Sequence, residues 1–167
     1  MNVRPTSDRL RETLFNVIAP RIEESKFLDL CAGSGAVGIE ALSRGANHAT
    51  FVDRSRRSCT LIETNLELCR VPEDKHEIYC SEAYEFLRQT TLPSWDIVYF
   101  DPPYKEDYLK TLEFLGANAP KRLNDHALVI VEHHHKNALP EAIGQLVRTR
   151  VLKQGDSSLS FYNADLH

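Results

Sequence analysis

Apolar residues alternate between two spacings along the chain, and this predicts alternating strands and helices. Short apolar runs predict buried parallel strands at residues 27–31, 48–52, 76–80, 95–100 and 127–131. Apolar residues three or four positions apart predict helices at 7–18, 39–45, 55–69, 82–88, 108–116 and 138–145. Residues 147–152 and 159–162 lie on either side of Gly155 and Asp156, and they predict a closing antiparallel strand pair.

This order of elements predicts an α/β fold. Parallel strands joined by helices cross over in the right-handed sense. We therefore expect a mostly parallel, twisted sheet with helices on both faces and an antiparallel strand pair at the C-terminal end. The chain has 167 residues and shows no linker or internal repeat, which favours one domain over residues 1–167. The ligand crevice of such a sheet lies beyond the carboxyl ends of its strands.

A glycine-rich turn joins the first predicted strand to the helix that follows it. Gly33, Gly35 and Gly38 form a Gly-x-Gly-x-x-Gly pattern, which brings bare backbone close to a ligand. Asp53 follows the second strand, 20 residues past Gly33, where a carboxylate can accept hydrogen bonds from ribose hydroxyls. The pattern therefore predicts a cofactor that contains adenosine, and by itself it fits a nicotinamide dinucleotide equally well.

Two further features favour S-adenosylmethionine as the cofactor. Asp29 lies inside the first strand, where a dinucleotide fold usually has an apolar residue. Asp101, Pro102, Pro103 and Tyr104 follow the fourth strand, and this Asp-Pro-Pro-Tyr sequence is similar to the catalytic loop of amino-group methyltransferases. Both stretches fall at the carboxyl ends of strands, so one cleft can hold them together.

Composition and charge argue against several classes of function for this protein. A net charge of −4 argues against a protein that coats nucleic acid without specificity, although arginines cluster before the first strand and after the second. No apolar run reaches the roughly 18 residues that a membrane span requires, and the polar N-terminus predicts no signal peptide. The four cysteines form no Cys-x-x-Cys pair, which suits reduced thiols in a cytoplasmic protein.

These residues together resemble a known family. The chain is similar over nearly its whole length to the bacterial small-subunit rRNA guanine-N2 methyltransferases of the RsmD type. The similar stretches are Arg4-Pro5-Thr6, the Arg-Glu-Thr-Leu-Phe-Asn block at 11–16, the glycine turn, Glu40-Ala41-Leu42-Ser43-Arg44, Asn65-Leu66, the Asp-Pro-Pro-Tyr loop and Val131-Glu132. Relatives usually carry a basic hairpin before the Arg-Pro-Thr block, and three residues precede Arg4 here.

The resemblance implies a Rossmann-like class I methyltransferase fold, S-adenosyl-L-methionine as the cofactor, and a guanine of 16S rRNA as the target. It implies an enzyme that acts on rRNA within small ribosomal subunit particles, and we expect a monomer without a membrane segment or a metal. Cofactor binding is assigned to Asp29, Ala32, Gly33, Ser34, Gly35, Asp53, Arg54, Glu82 and Ala83. Catalysis is assigned to Asp101, Pro102, Pro103 and Tyr104, and RNA contact to Arg4, Thr6, Arg9 and Arg11.

The chemistry of the loop explains these catalytic assignments. An exocyclic base amine is a poor nucleophile, so much of the rate acceleration must come from positioning. The Asp101 carboxylate and the Pro102 carbonyl can accept the two N–H bonds of the amine, and Tyr104 can stack on a flipped base. His133, His134 and His135 are expected in an exposed loop or in contact with the rim of the substrate, because neighbouring side chains on a strand point to opposite faces and chelate a metal poorly.

Three other functions stay open at this level. An adenine-N6 DNA methyltransferase shares both motifs, but the short chain offers no separate domain for reading a DNA sequence. A nicotinamide-dependent oxidoreductase would lack a second domain and a site for hydride transfer. A non-catalytic RNA-binding or assembly factor would have little use for the Asp-Pro-Pro-Tyr loop.

Overall fold

The computed structural model describes residues 8–89, 91–103 and 107–164. The predicted Tyr104 and the Arg4 and Thr6 of the N-terminal block lie outside these residues. The strands are β1 Lys26–Leu30, β2 His48–Asp53, β3 His76–Cys80, β4 Trp95–Phe100, β5 Leu123–His134, β6 Ala142–Ile143, β7 Leu146–Gln154 and β8 Ser157–Ala164. The helices are α1 Asp8–Ile22, α2 Ala36–Ser43, α3 Arg56–Leu68, α4 Ala83–Leu87, α5 Asp107–Ala117 and α6 Ala119–Arg122.

All eight strands form one sheet in the order β3-β2-β1-β4-β5-β8-β7-β6. Strands β1 to β5 are parallel, and β8 pairs antiparallel with both β5 and β7. This confirms the predicted mostly parallel sheet with an antiparallel C-terminal pair. The chain runs outward from β1 to β3 and then returns to place β4 on the other side of β1. The strand order therefore reverses between β1 and β4, which is where open α/β sheets bind ligands.

Helices cover both faces of the sheet, as predicted. Helices α1, α2 and α3 pack on one face, where Leu14, Phe15, Phe27, Phe51 and Ile62 are fully buried. Helices α4, α5 and α6 pack on the other, around Phe86, Trp95, Phe100, Leu112 and Leu115. The parallel strands are apolar on both sides for this reason. No helix among the described residues is long and apolar enough to cross a membrane.

Helix α1 runs antiparallel to β5, and its first turns lie at the carboxyl edge of the sheet. The Thr13 hydroxyl donates to the Gln154 side chain at the end of β7, 2.9 Å away. Near the other end of the helix, Arg21 donates to the carbonyl of His126 towards the start of β5. The start of α1 is therefore brought to the edge where the predicted site residues lie.

Three sequence predictions about element bounds are wrong. Residues 138–145 form no helix, because Pro140 disfavours helix at the residue before it and Gly144, with φ of 58°, turns the chain into the β6–β7 hairpin. Helix α1 continues past Pro20, which costs one backbone hydrogen bond in the last turn. Strand β5 is longer than 127–131 because β4 and β8 pair with its two sides.

Candidate active site

The glycine turn after β1 is held by two acidic side chains. The Asp29 carboxyl group accepts the Gly38 N–H at 3.0 Å, inside α2, and Asp53 accepts the Gly33 N–H at 2.9 Å. The second Asp53 oxygen accepts from Ser55 N–H at 2.8 Å, just before α3. Asp53 therefore joins the ends of β1 and β2, and each oxygen keeps a lone pair that a ribose hydroxyl can use.

Each of the three glycines in the turn is required for a different physical reason. Gly33 has φ of 60°, and a Cβ built there meets no atom within 4 Å. Gly38 has no space for a side chain, because a Cβ there would lie 2.5 Å from the Phe51 ring. Gly35, just before α2, has φ of 82°, and a Cβ built there would lie 3.3 Å from the Ile62 side chain. The open space at Gly33 fits the close approach of a cofactor, whereas Gly38 allows α2 to pack on the sheet.

Asp29 is an unusual acid because it is 2% exposed and sits among apolar residues. Burial raises the pKa of its carboxyl from 3.8 to about 8, partly opposed by the hydrogen bond from Gly38. The nearby Asp53 charge raises the pKa further. Asp29 is therefore protonated at neutral pH when no cation is bound beside it, and a cationic group of a ligand would favour its ionised form.

This raised pKa predicts a pH-dependent effect of Asp29→Asn on stability. In the unfolded chain Asp29 ionises above about pH 4, whereas in the folded chain it stays protonated up to about pH 8. Folding of the wild type therefore becomes less favourable across this window, and the amide does not share the loss. We expect the stability of Asp29→Asn relative to wild type to rise from pH 5 to pH 8, with a slope of up to about 1.4 kcal/mol per pH unit. Urea unfolding of both proteins across this range measures the slope, and a constant difference contradicts the raised pKa.

The other predicted cofactor residues surround the same turn. The Ala32 N–H donates to the Val52 carbonyl at 2.9 Å, and the Ser34 carbonyl accepts from the Asn65 side chain at 2.9 Å. Arg54 is exposed at the end of β2. Glu82 is exposed at the end of β3, and Ala83 begins α4 as a buried residue. These residues line the carboxyl ends of β1, β2 and β3, on one side of β4.

The predicted catalytic loop begins beside β1. The Asp101 N–H donates to the Leu30 carbonyl at 3.4 Å, which continues the β1–β4 pairing past the end of β4. Asp101 is partly exposed, Pro102 is buried and Pro103 is exposed. The structure therefore brings Asp101 and the glycine turn together at the point where the strand order reverses.

The two predicted RNA-contact arginines of α1 differ in their surroundings. Arg11 donates to Glu40 of α2 at 3.0 Å and to Asp8 at 3.1 Å, so its guanidinium already has two carboxylate partners. Arg9 is exposed, and none of the described acidic residues forms an ion pair with it. A phosphate contact by either residue stays a prediction, and the structure favours Arg9.

The prediction of an exposed loop is wrong for His133, whereas His134 ends β5 and His135 lies in the turn that follows, both partly exposed. His133 lies on β5 at 6% exposure, and its Nε2 is 2.8 Å from the Ser160 hydroxyl of β8. Burial lowers the pKa of His133, so its ring is neutral at pH 7. The rings of His134 and His135 stack with centroids 4.6 Å apart, because the chain turns after β5 and no longer alternates faces.

These two histidines and Asp156 bring three possible ligand atoms within 4.8 Å of one another. The hydrogen bonds around them argue against a preformed metal site. The Lys136 N–H donates to Nδ1 of His134 at 3.1 Å, which leaves the proton of the neutral ring on Nε2. His134 must therefore exchange its tautomer before Nε2 can bind a metal.

Two features near the site were not predicted from the sequence pattern. Cys31 follows β1 with φ of 63°, a left-handed conformation that is uncommon outside glycine, and it starts the turn towards Gly33. The Tyr99 hydroxyl donates to Glu132 beneath the carboxyl edge, and both side chains are buried. A polar residue inside an apolar strand was the available signal for Glu132, but its partner on β4 depends on the register of the sheet.

Comparison with known proteins agrees with this geometry. Residues 1–163 match the model of the family described as "Conserved hypothetical protein 95". The YlbH protein of Bacillus subtilis (strain 168) is 36% identical over 164 residues, which cover 96% of this chain and 88% of the relative. Ribosomal RNA small subunit methyltransferase D of Escherichia coli (strain K12) is 41% identical over 139 residues, covering 83% of this chain and 68% of the relative.

Solved structures show the same architecture. The structure of the Escherichia coli protein yhhF superposes with a TM-score of 0.88 at 34% identity, covering 98% of this chain and 89% of that one. An RNA methyltransferase from Salinibacter ruber, in complex with S-adenosyl-L-homocysteine, superposes with a TM-score of 0.75 at 12% identity, covering 98% and 95%. Because its sequence identity is only 12%, the similarity to the Salinibacter ruber structure shows the fold alone. By its family match and its relatives, the chain belongs to the Conserved hypothetical protein 95 family, which is the RsmD family, and has the class I methyltransferase fold.

Proposed function

We propose that the protein is an S-adenosylmethionine-dependent methyltransferase of small-subunit rRNA that acts on the exocyclic N2 amine of a guanine. The observation that carries the proposal is the placement of Asp101 beside the glycine turn, at the point where the strand order reverses. The names of the relatives, which include ribosomal RNA small subunit methyltransferase D, support rRNA as the substrate. Such an enzyme acts in the cytoplasm, where rRNA is made.

The residues around the turn fit the proposed cofactor. The open space at Gly33 admits the methionine part close to bare backbone, and the free lone pairs of Asp53 accept from the ribose hydroxyls. Glu82 and Ala83, past β3, flank the adenine in this assignment. When bound there, the cofactor would supply a methyl group on a positively charged sulfur: the amine nitrogen would bond to the methyl carbon as the carbon–sulfur bond breaks in line and a neutral thioether leaves.

The chain's own residues then have to present the amine. In this proposal Asp101 accepts from guanine N2–H and N1–H together, which is a bidentate contact. The Pro102 carbonyl accepts the second N2–H bond. Both acceptors aim the nitrogen lone pair at the methyl carbon and stabilise the positive charge that develops on nitrogen. Two prolines restrict the loop, so less conformational entropy is lost when the base binds.

Guanine is favoured over adenine by the donor pattern that faces Asp101. Adenine N6 lies beside N1, which is an acceptor, so a carboxylate would meet one donor and one lone pair. An asparagine would suit adenine better, because its amide donates to N1. The adenine-N6 DNA methyltransferase therefore remains the second hypothesis, and the product nucleoside separates the two.

Two measurements test the proposal. Purified protein is incubated with labelled S-adenosylmethionine and either small-subunit particles or naked rRNA, and the nucleosides are resolved by mass. We expect N2-methylguanosine, and N6-methyladenosine as the product would overturn the assignment. Isothermal titration should show binding of S-adenosylmethionine and none of NAD.

Asp53 provides a specific check on the cofactor assignment. We expect Asp53→Ala to weaken S-adenosylmethionine binding by about 1–3 kcal/mol, because hydroxyl partners and the Gly33 N–H lose their acceptor. Glu77→Ala, an exposed acid on β3, is the matched control and should leave the affinity unchanged. Equal affinities for wild type and Asp53→Ala would remove Asp53 from the cofactor site.

A further inference from the structure

The described residues assigned to the cofactor all lie on one flank of the catalytic loop. The residues assigned to the cofactor follow β1, β2 and β3, which lie on one side of β4. Strands β5, β8 and β7 lie on the other side, and none of the assigned cofactor residues comes from them. If the assigned residues hold the cofactor at the ends of β1, β2 and β3, the β5–β8–β7 side is the side left for a base that approaches Asp101.

Two lysines lie at the carboxyl ends of β5 and β7, on the β5–β8–β7 flank of the sheet. Lys136 is the second residue after the end of β5, and Lys153 is the penultimate residue of β7. The register pairs His134 with Ser157 and Ser157 with Gln154, so about 10 Å separates the two strand ends across β8. Both lysines are exposed, and within residues 8–89, 91–103 and 107–164 neither forms an ion pair with a carboxylate.

Helix α1 continues the same surface. The hydrogen bond from Thr13 to Gln154 holds the helix against the end of β7. Arg9 lies one turn before Thr13, and the Thr13 hydroxyl also contacts the Arg9 carbonyl at 3.1 Å, so both residues lie on the same side of α1. We name Arg9, Lys136 and Lys153 the rim surface. Asp156, in the β7–β8 turn, is an exposed carboxylate at the same edge.

We propose that the rim surface binds the phosphate backbone of the substrate RNA beside the flipped guanine. This inference rests on the proposed function and adds the direction from which the RNA reaches the site. Each exposed ion pair contributes little alone. Three such contacts, placed on one flank of Asp101, position the strand so that one base can reach the loop, and phosphate contacts serve this purpose in nucleic-acid complexes. The net charge of −4 is compatible with it because the cations are local.

The test uses the full chain with Lys136→Ala and Lys153→Ala combined. We expect the slope of log affinity against log salt for rRNA to fall by about 2, one for each lost phosphate contact. The KM for rRNA should rise about two- to fivefold for each lysine, while kcat and the affinity for S-adenosylmethionine stay unchanged. Lys121→Ala is the matched control, because Lys121 is exposed on α6, next to the start of β5 at the opposite edge.

Asp156→Asn tests the same surface by removing a negative charge instead of a positive one. Removing this carboxylate should strengthen rRNA binding at low salt, because one repulsive charge leaves the rim. If wild type methylates rRNA and the lysine variants keep its salt slope and KM, the rim inference alone is wrong. If wild type transfers no methyl group to rRNA while it binds S-adenosylmethionine, the proposed function is wrong and the inference falls with it.

Discussion

Asp101→Asn should lower the rate constant of methyl transfer to rRNA about 100-fold, with unchanged affinity for S-adenosylmethionine. The amide keeps one acceptor for guanine N2–H, but its NH₂ group faces the N1–H donor. One hydrogen bond to a carboxylate is lost and one donor–donor contact is created. Loss of a single well-placed group that stabilises the charge of a transition state costs about 10²–10³ in rate.

Single-turnover kinetics with saturating cofactor measure this effect without a contribution from product release. Asp125→Asn is the matched control, because Asp125 is exposed near the start of β5, far from the carboxyl edge. Cofactor titration of the variant shows whether the site is intact. Methylation of guanine by Asp101→Asn at the wild-type rate would remove the assigned role. A gain of N6-methyladenosine in this variant would support the bidentate contact, since the amide matches adenine.

Gly38→Ala should destabilise the fold by about 1–3 kcal/mol or more. The added Cβ would lie 2.5 Å from Cε2 and 2.9 Å from Cζ of Phe51, which is fully buried on β2. Neither the ring nor α2 can move freely, since both belong to the same packed core. The N–H of this residue also donates to Asp29, so any shift of α2 weakens a buried hydrogen bond.

A double-mutant cycle separates this steric cause from a general effect of the substitution. Phe51→Leu removes the ring atoms that the Cβ meets, so the combined variant should be less destabilised than the sum of the two single variants. Gly33→Ala is the contrasting variant, because its Cβ meets nothing within 4 Å and the cost is about 1 kcal/mol of left-handed strain. Urea unfolding gives the free energies, and a strictly additive cycle would contradict the contact with Phe51.

Gly33→Ala should weaken binding of the proposed cofactor although it costs little folding stability, which is the reverse of the effect expected for Gly38→Ala. Its backbone is the part of the turn with open space above it, so a methyl group there occupies room that the cofactor needs. The two glycines therefore have separate roles within one motif, and stability and cofactor affinity report on them independently.

The amino-acid sequence by itself determined the order of the elements, the fold class and the glycine-rich turn. Apolar runs of strand length, helical spacing and a Gly-x-Gly-x-x-Gly turn are local patterns, and each depends on residues a few positions apart. The residues 8–18 of α1, the five parallel strands and the closing pair β7–β8 follow from such patterns. The grouping of Asp29, Asp53 and Asp101 at or near the carboxyl ends of their strands follows as well, because parallel strands align these ends.

Only the tertiary structure decided which groups meet. Residues 138–145 carry a helix-like apolar spacing, but Gly144 packs against Gly116, where a Cβ on Gly144 would lie 2.6 Å from the Gly116 carbonyl carbon, and a hairpin forms instead. His133 became a core residue because β8 covers β5 and supplies Ser160. Arg11 is paired with Glu40, 29 residues away, whereas its neighbour Arg9 stays exposed. Contacts between distant residues depend on strand order and register, which no local sequence pattern contains. The rim surface could therefore be identified only from the structure, because its three residues are far apart in the sequence.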